Sequence, residues 1–398
     1  DRRARQTPAN QPTPCGRLLY RNIPIKLAPP AFVTRADAAF LMSAPSPVSA
    51  VASAPPETRI AEADRVPVGQ KIAYGLGGMT ENLANQITNT MFNTVFNIGL
   101  GVSPAILGLA EMIFRLWDVI SDPLMGNISD NTRTRWGRRR PYIVLGGIAT
   151  ALTFPLMWQV PRDWSQPAMV AYMIGAGIVF YTAFTIWAMP YYGLGMELTP
   201  AYNERTRVVA YRTFFSKFVS LLAGWLMALI SLPLFADPLT GKPDVVNGMS
   251  KVSWAIALVI LCVAILPGLF TRERYYEKAT RSQAKVSLRE GMKATLSCRP
   301  FLVIIGVTLL KVVGGTLVGS LGFYINVYYV HAGNLAQASI VSGLRSTVTF
   351  LPGLLSVPLW TWIAEKYGKK NALYATLGLG FVGNLLIYAC TTPEHPYL

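Results

Sequence analysis

Nine long apolar stretches constrain this chain more than any other feature, at roughly 71–99, 103–127, 141–160, 166–198, 207–235, 252–270, 299–330, 335–363 and 371–391. Most reach the roughly 20 residues a helix needs to cross a bilayer. In hydrocarbon every backbone N–H and C=O must be satisfied within the protein, which leaves helices or closed barrels. Stretches this long select helices, so the sequence predicts an all-α membrane protein. The balance of 52% hydrophobic and 14% charged residues agrees, because soluble domains carry about 25% charged.

A net charge of +16 would suit a nucleic-acid binder if the basic residues formed one surface. They lie instead in short loops: Arg133, Arg135, Arg138, Arg139 and Arg140 after the second stretch, Lys366, Lys369 and Lys370 after the eighth. A third group comes after the sixth: Arg272, Arg274, Lys278, Arg281, Lys285, Arg289 and Lys293. The alternate loops (161–166, 236–251, 331–334) are poor in Lys and Arg, which predicts a cytoplasmic N-terminus in a bacterial inner membrane and no nucleic-acid partner. Cys15, Cys262, Cys298 and Cys390 are scattered, so neither a metal cluster nor a disulfide framework is expected. His331 and His395 sit near membrane or chain ends, which leaves no intramembrane histidine relay.

Residues 1–68 are rich in Pro, Ala and Arg without helical period, and read as a disordered tail. Met42 opens an ordinary polar leader, which suggests a native start there, with 1–41 outside the native protein; a transit peptide is the rival reading. The remainder divides into a six-helix bundle at 69–270, a cytoplasmic loop at 271–298 and a three-helix portion at 299–398. An internal repeat supports the division. The second stretch ends Pro123-Leu124-x-x-x-Ile128-Ser129-Asp130 before Trp136-Gly137-Arg138-Arg139, and the eighth ends Pro358-Leu359-x-x-x-Ile363-Ala364-Glu365 before Tyr367-Gly368-Lys369-Lys370. The eighth is then the counterpart of the second, and the second half is expected to lack three helices.

Four ionisable residues interrupt the second stretch: Glu111, Arg115, Asp118 and Asp122, spaced i, i+4, i+7, i+11 on one helical stripe. Charges inside a spanning helix usually face a bundle interior or a wet cavity and serve an ion or substrate path. Asp118 and Asp122 stand one turn apart, about 6 Å along the axis. Two carboxylates so close in low dielectric cannot both stay ionised without a cation or proton. The alternative is a structural ion pair with Arg115. The first stretch carries Glu81, Asn82, Asn85, Asn89 and Asn93, a second polar stripe that suits a polyhydroxylated ligand. Lys311 and Arg345 are further cavity candidates; Lys217 joins such a network or snorkels.

Trp117-Asp118-x-x-x-Asp122-Pro123-x-x-Gly126, followed by Thr132-Arg133-Thr134-Arg135-Trp136-Gly137-Arg138, resembles the glycoside–pentoside–hexuronide:cation symporter family of the major facilitator superfamily. Tyr74-Gly75-Leu76-Gly77, Glu204-Arg205-Thr206-Arg207 and Tyr211-Arg212 also fit, and the likeness covers about 70–391. The resemblance implies two pseudo-symmetric six-helix bundles, here truncated to about nine transmembrane helices. It implies a central cavity and alternating access, with Na⁺ or H⁺ as coupling ion and no other cofactor. It assigns cation binding to Asp118 and Asp122, with Ser121 in place of the family's Asn, and Thr185 as a further oxygen. The resemblance places substrate contacts at Glu81, Asn82, Tyr192 and Arg212, and position within the spanning stretches adds Asn85, Lys311 and Arg115, Arg115 more as support for the acids than as a direct contact. Two sugar-binding acids of the family are replaced by Asn82 and Ala188, so galactoside specificity does not carry over. Asp130, Arg138 and Arg139, with Glu365 and Lys369, resemble a gate whose charges pair across the cytoplasmic face; topology-setting charge is the alternative.

The leading function is import of a sugar or glycoside, coupled to a cation, by a monomer in the lipid bilayer. A lipid or lysolipid carrier and a non-transporting sensor are the rivals. No nucleophile–base pair, phosphate loop or metal cluster appears, so an enzyme is not expected.

Overall fold

A computed structural model describes residues 64–236, 244–273 and 296–390. The expectations for the tail up to residue 63, with its Met42 start, and for the basic loop at 274–295 lie outside the described residues. The last residues assigned to the tail are anchored: Val66 is buried, and its N–H donates to Glu204 Oε1 at 3.0 Å. The described chain forms nine helical runs. α1 spans 68–99 as Val68–Asn82 and Thr88–Asn93, joined and ended by π-helical turns at Leu83–Ile87 and Thr94–Gly99. α2 is Pro104–Asn131, α3 Arg140–Leu156, α4 Gln166–Glu197 and α5 Tyr202–Ile230. α6 is Val245–Ala264 with its continuation Leu266–Phe270, and α7 is Arg299–Tyr324 with a π turn at Ile325–Val330. α8 is Leu335–Tyr367 and α9 Lys369–Cys390.

Local chemistry explains several ends. Ser103 precedes Pro104 and accepts the Ile106 N–H, Asp244 accepts from Val246 and Asn247 at the start of α6, and Asn334 accepts from Gln337 at the start of α8. The expected loop between the eighth and ninth stretches contracts to Gly368, whose φ of 85° stops α8 at Tyr367 and lets α9 start at once. Glu365 is therefore helical and Lys369 is the first residue of the next helix.

By chain contacts, the described residues within 64–273 and 319–390 belong to one compact unit, while those within 296–318 belong to another. Within the larger unit α1 packs on α5 and α6, α2 on α4, α4 on α3, α3 on α6, and α5 on α8. Its interior is a column of buried aromatics, including Phe92, Phe96, Phe114, Phe154, Trp158, Phe180, Trp187 and Tyr191. Lipid tails are as apolar as these side chains, so close packing and interhelical hydrogen bonds hold the helices together. Gly78 shows how close α1 and α5 come: a Cβ there would stand 2.7 Å from Arg212 Cγ and 2.8 Å from Arg212 O.

Four described helices (Gln166–Glu197, Tyr202–Ile230, Val245–Phe270 and Gln337–Tyr367) are long and apolar enough to cross a membrane by length and composition. α2 is as long at 28 residues, but four ionisable groups interrupt its interior. Its other side exposes Leu116 and Ile120 at 58% and 65%, an apolar face suited to hydrocarbon or to another apolar surface.

Candidate functional site

The α2–α4 seam gathers the acids of the second stretch with two hydroxyls. Thr185 Oγ1 donates to Asp122 Oδ1 at 2.8 Å, and Ser121 Oγ lies 3.4 Å from Thr185 Oγ1. Thr185 has one proton and gives it to the carboxylate, so Ser121 is the donor to Thr185. Arg115 Nη1 meets Asp118 Oδ2 at 3.1 Å, and its guanidinium stands 5.6 Å from the Tyr181 ring centre. Arg115 thus selects Asp118; no ion pair holds Glu111 among the described residues. One turn away Trp117 Nε1 donates to Thr182 Oγ1 at 2.9 Å, which fixes the register of α2 against α4.

A second cluster joins α1, α4 and α5. Arg212 Nε donates to Glu81 Oε2 at 2.9 Å and Nη2 to Glu81 Oε1 at 2.5 Å, while Tyr192 OH donates to Oε1 at 2.9 Å. The Arg212 guanidinium lies 5.0 Å from the Tyr192 ring centre. Glu81, Arg212 and Tyr192 therefore satisfy one another. Asn82 Nδ2 bonds back to Gly78 O at 2.9 Å, and Asn85 is part-exposed with no side-chain hydrogen bond among the described residues.

The amides of the expected stripe on α1, Asn82, Asn85, Asn89 and Asn93, are all part-exposed or exposed. The π turn at Leu83–Ile87 widens one turn and rotates the remainder of the helix. As a result Gln86, which the amide pattern passed over, reaches α5 and accepts from Ser220 Oγ at 3.2 Å. Lys311 lies in the smaller unit, exposed on α7.

The charges expected at the gate divide into two groups. Arg139 binds Asp130 at 2.6 Å and Glu197 at 3.2 Å, and Arg138 binds Glu197. Burial pulls the Arg139 guanidinium below its usual range, against the pull of Asp130. Gly193 makes room for it, because a Cβ there would overlap the guanidinium. Glu273, three residues beyond α6, accepts the backbone N–H groups of Arg138, Arg139 and Arg140 at 3.0, 3.0 and 3.3 Å and so caps α3. Asp130, Arg138 and Arg139 are thus bound among α2, α3, α4 and the end of α6. Glu365, their repeat counterpart, instead meets Arg207 of α5 at 3.0 Å. Lys369 Nζ donates to Tyr202 O at 3.3 Å and lies over that ring. Sequence reasoning missed Glu273 and the Arg207 partnership because both contacts join residues more than 130 positions apart.

Residues 73–397 match the family described as "MFS/sugar transport protein". Similar proteins include the isoprimeverose transporter of Lactiplantibacillus pentosus, 26% identical over 81% of this chain and 64% of its own. An uncharacterized symporter of Synechocystis is 30% identical over 68% of this chain and 48% of its own. The sodium-dependent lysophosphatidylcholine symporter 1-B of Danio rerio is 26% identical over 85% of this chain and 68% of its own. The chain thus spans about half to two thirds of the length of these curated relatives.

Proposed function

Because the chain belongs to the MFS/sugar transport protein family, within the glycoside–pentoside–hexuronide:cation symporters, we propose that it carries a sugar or glycoside across a membrane together with a cation. The observation that carries this reading is the α2–α4 seam, where Asp118, Asp122, Ser121 and Thr185 present oxygens on two packed helices. Among the described residues no three His, Cys, Asp or Glu side chains cluster, so hydroxyl oxygens have to complete the coordination. Carboxylates with hydroxyls suit Na⁺, whereas H⁺ needs only a carboxylate. Arg115 neutralises one of the two acids. A single monovalent cation then brings the group of three to zero charge, which lowers the cost of holding it in a spanning bundle.

The family fold supplies the second element. Alternating access moves one half against the other around a shared site. Binding at the seam favours transport only through differential affinity for the two states. In this reading α1, α4 and α5 supply the substrate face through Glu81, Asn82, Asn85, Tyr192 and Arg212. The Arg207–Glu365 contact, with Lys369 on Tyr202, closes the cytoplasmic end. Asp130, Arg138 and Arg139 keep α2, α3 and α4 in one rigid group. The basic loops orient the N-terminus to the cytoplasm. A lysolipid cargo is the second reading, supported by the likeness to a lysophosphatidylcholine symporter.

The test is uptake into proteoliposomes containing the full-length protein. Radiolabelled glycosides and lysophosphatidylcholine are offered under imposed Na⁺ or H⁺ gradients. Accumulation of a glycoside under one gradient, lost in Asp118→Asn and in Asp122→Asn, is the expected outcome. Normal accumulation by both variants rules out the cation site, and accumulation of the lysolipid alone selects the second reading.

A further inference from the structure

Glu204 stands in the first turn of α5 and is 1% exposed. A carboxylate that deep is costly unless other groups offset its charge. Two such groups reach it from the chain around the start of α1. Lys71 Nζ meets Glu204 Oε1 at 2.6 Å, and the Val66 N–H donates to the same oxygen at 3.0 Å. Val66 belongs to the short strap 64–67 that leads into α1. The strap is tied to the α4–α5 turn a second time, because Thr199 Oγ1 donates to Asp64 O at 2.8 Å. Thr199 is itself buried, and its carbonyl accepts from Arg205 Nη2 at 3.2 Å.

The other oxygen of Glu204 faces a different group. Arg207 Nη1 lies 3.9 Å from Oε2, one turn along α5, an ion-pair distance too long for a hydrogen bond. The Arg207 guanidinium turns its hydrogen bonds to α8 instead. Nε donates to Glu365 Oε1 at 3.0 Å and Nη2 to Oε2 at 3.3 Å, a forked contact. Arg207 therefore stands between two acids, one on the neighbouring helix and one on its own. A shift of about 1 Å would bring Nη1 within hydrogen-bond distance of Glu204. When α8 withdraws from α5, Glu365 leaves with it, whereas Glu204 travels with Arg207.

We propose that Glu204 is a positioning residue for the cytoplasmic gate: it takes Arg207 when α5 and α8 part, and Lys71 with the strap 64–67 sets how hard it pulls. This rests on the transport reading, which supplies the parting of the two helices. In the closed arrangement Lys71 and the Val66 N–H offset the charge of Glu204, so Arg207 stays with Glu365. Loosening of these contacts leaves Glu204 less compensated and draws Arg207 away from α8. The segment ahead of α1 thus acts on the gate through Glu204 and Arg207 in turn.

Thiol labelling of Thr361→Cys, one turn inward from Glu365 on α8, tests this in the full-length protein, held in nanodiscs with its native cysteines replaced by serine. Lys71→Met should raise the labelling rate roughly two- to fivefold, the scale of a partly exposed ion pair. Glu204→Gln should lower it, since Arg207 then keeps Glu365 as its acid. General loosening of the fold would raise both rates, so opposite signs separate the latch from a merely structural role. Lys71→Arg should label as the unsubstituted protein does, which separates charge from packing. With Glu365→Gln in place, Lys71→Met should add nothing. A rise in both Lys71→Met and Glu204→Gln overturns the role of Glu204, as does an equal effect of Lys71→Met with and without Glu365. Unchanged labelling in both variants overturns it too and leaves transport standing. Labelling needs no cargo, so it judges Glu204 even where uptake of every ligand fails and the transport reading falls.

Discussion

Thr185 of α4 donates its hydroxyl proton to Asp122 of α2 across 2.8 Å, and Ser121 in turn donates to Thr185. This chain of donors orients one carboxylate of the acidic pair from a helix 63 residues away in sequence. The other carboxylate, Asp118, pairs with Arg115 on its own helix. The two acids are thus held by different means, one by tertiary contact and one by local electrostatics.

Thr185→Val keeps the shape and removes the donor. A hydrogen bond to a charged group contributes roughly 1.5–3 kcal/mol, so the cation concentration for half-maximal binding should rise about tenfold or more. Titrating Na⁺ or H⁺ against substrate binding reads this directly. An unchanged midpoint means that Thr185 serves packing alone.

Glu81 and Arg212 predict an asymmetric pair of effects. Removing one partner leaves a buried charge alone, which costs roughly 3–5 kcal/mol, whereas removing both leaves little penalty. Glu81→Gln should lower the thermal midpoint in detergent strongly, and adding Arg212→Met should restore much of the loss. Tyr192→Phe should cost less, since Glu81 keeps both guanidinium bonds. If the double variant melts no higher than Glu81→Gln, the pair is not what stabilises this cluster.

Glu273 gives a third test. Its carboxylate caps α3 through three N–H groups, and caps of this kind contribute roughly 0.5–2 kcal/mol. Glu273→Ala should destabilise the protein by about that amount, and Glu273→Gln by less because an acceptor oxygen remains. Amide exchange at Arg138, Arg139 and Arg140 should accelerate in step. Unaltered exchange in Glu273→Ala contradicts the capping role.

Arg207 and Glu365 join α5 to α8 at their cytoplasmic ends in the proposed orientation. Both are partly exposed, so the pair should contribute only about 0.2–1 kcal/mol to stability. Its influence should appear in the balance between open states. Glu365→Gln should increase labelling of a cysteine placed at the cytoplasmic end of α8, and Arg207→Gln should do the same without adding to it. Additive effects of the two substitutions indicate that they do not act as a pair.

Membrane character and the number and rough limits of the helices were legible in the residues, because hydrocarbon demands long apolar runs and charge bias tracks the loops. The spacing of Asp118 and Asp122 was legible too, since both lie on one helix and a helix has a fixed period. Spacing alone does not choose between Glu111 and Asp118 as the partner of Arg115, because both are about one turn away and rotamer choice decides between them. The contact of Gln86 with Ser220 of α5 was not legible, because the π turn at Leu83–Ile87 carries no plain local signal.

What the sequence determined by itself was therefore everything set by local period and by solvent: helix against strand, apolar against wet, and which charges share a helix. What only the tertiary structure decided was which of those charges pair among the described residues. Lys217 and Arg212 stand five residues apart on one arc of α5, yet Arg212 is neutralised by Glu81 and Lys217 faces the bare backbone of Gly353. The physical reason is distance. Pairing requires approach within about 4 Å, and which acid of α1 comes that close to α5 is fixed by helix packing rather than by position along the chain.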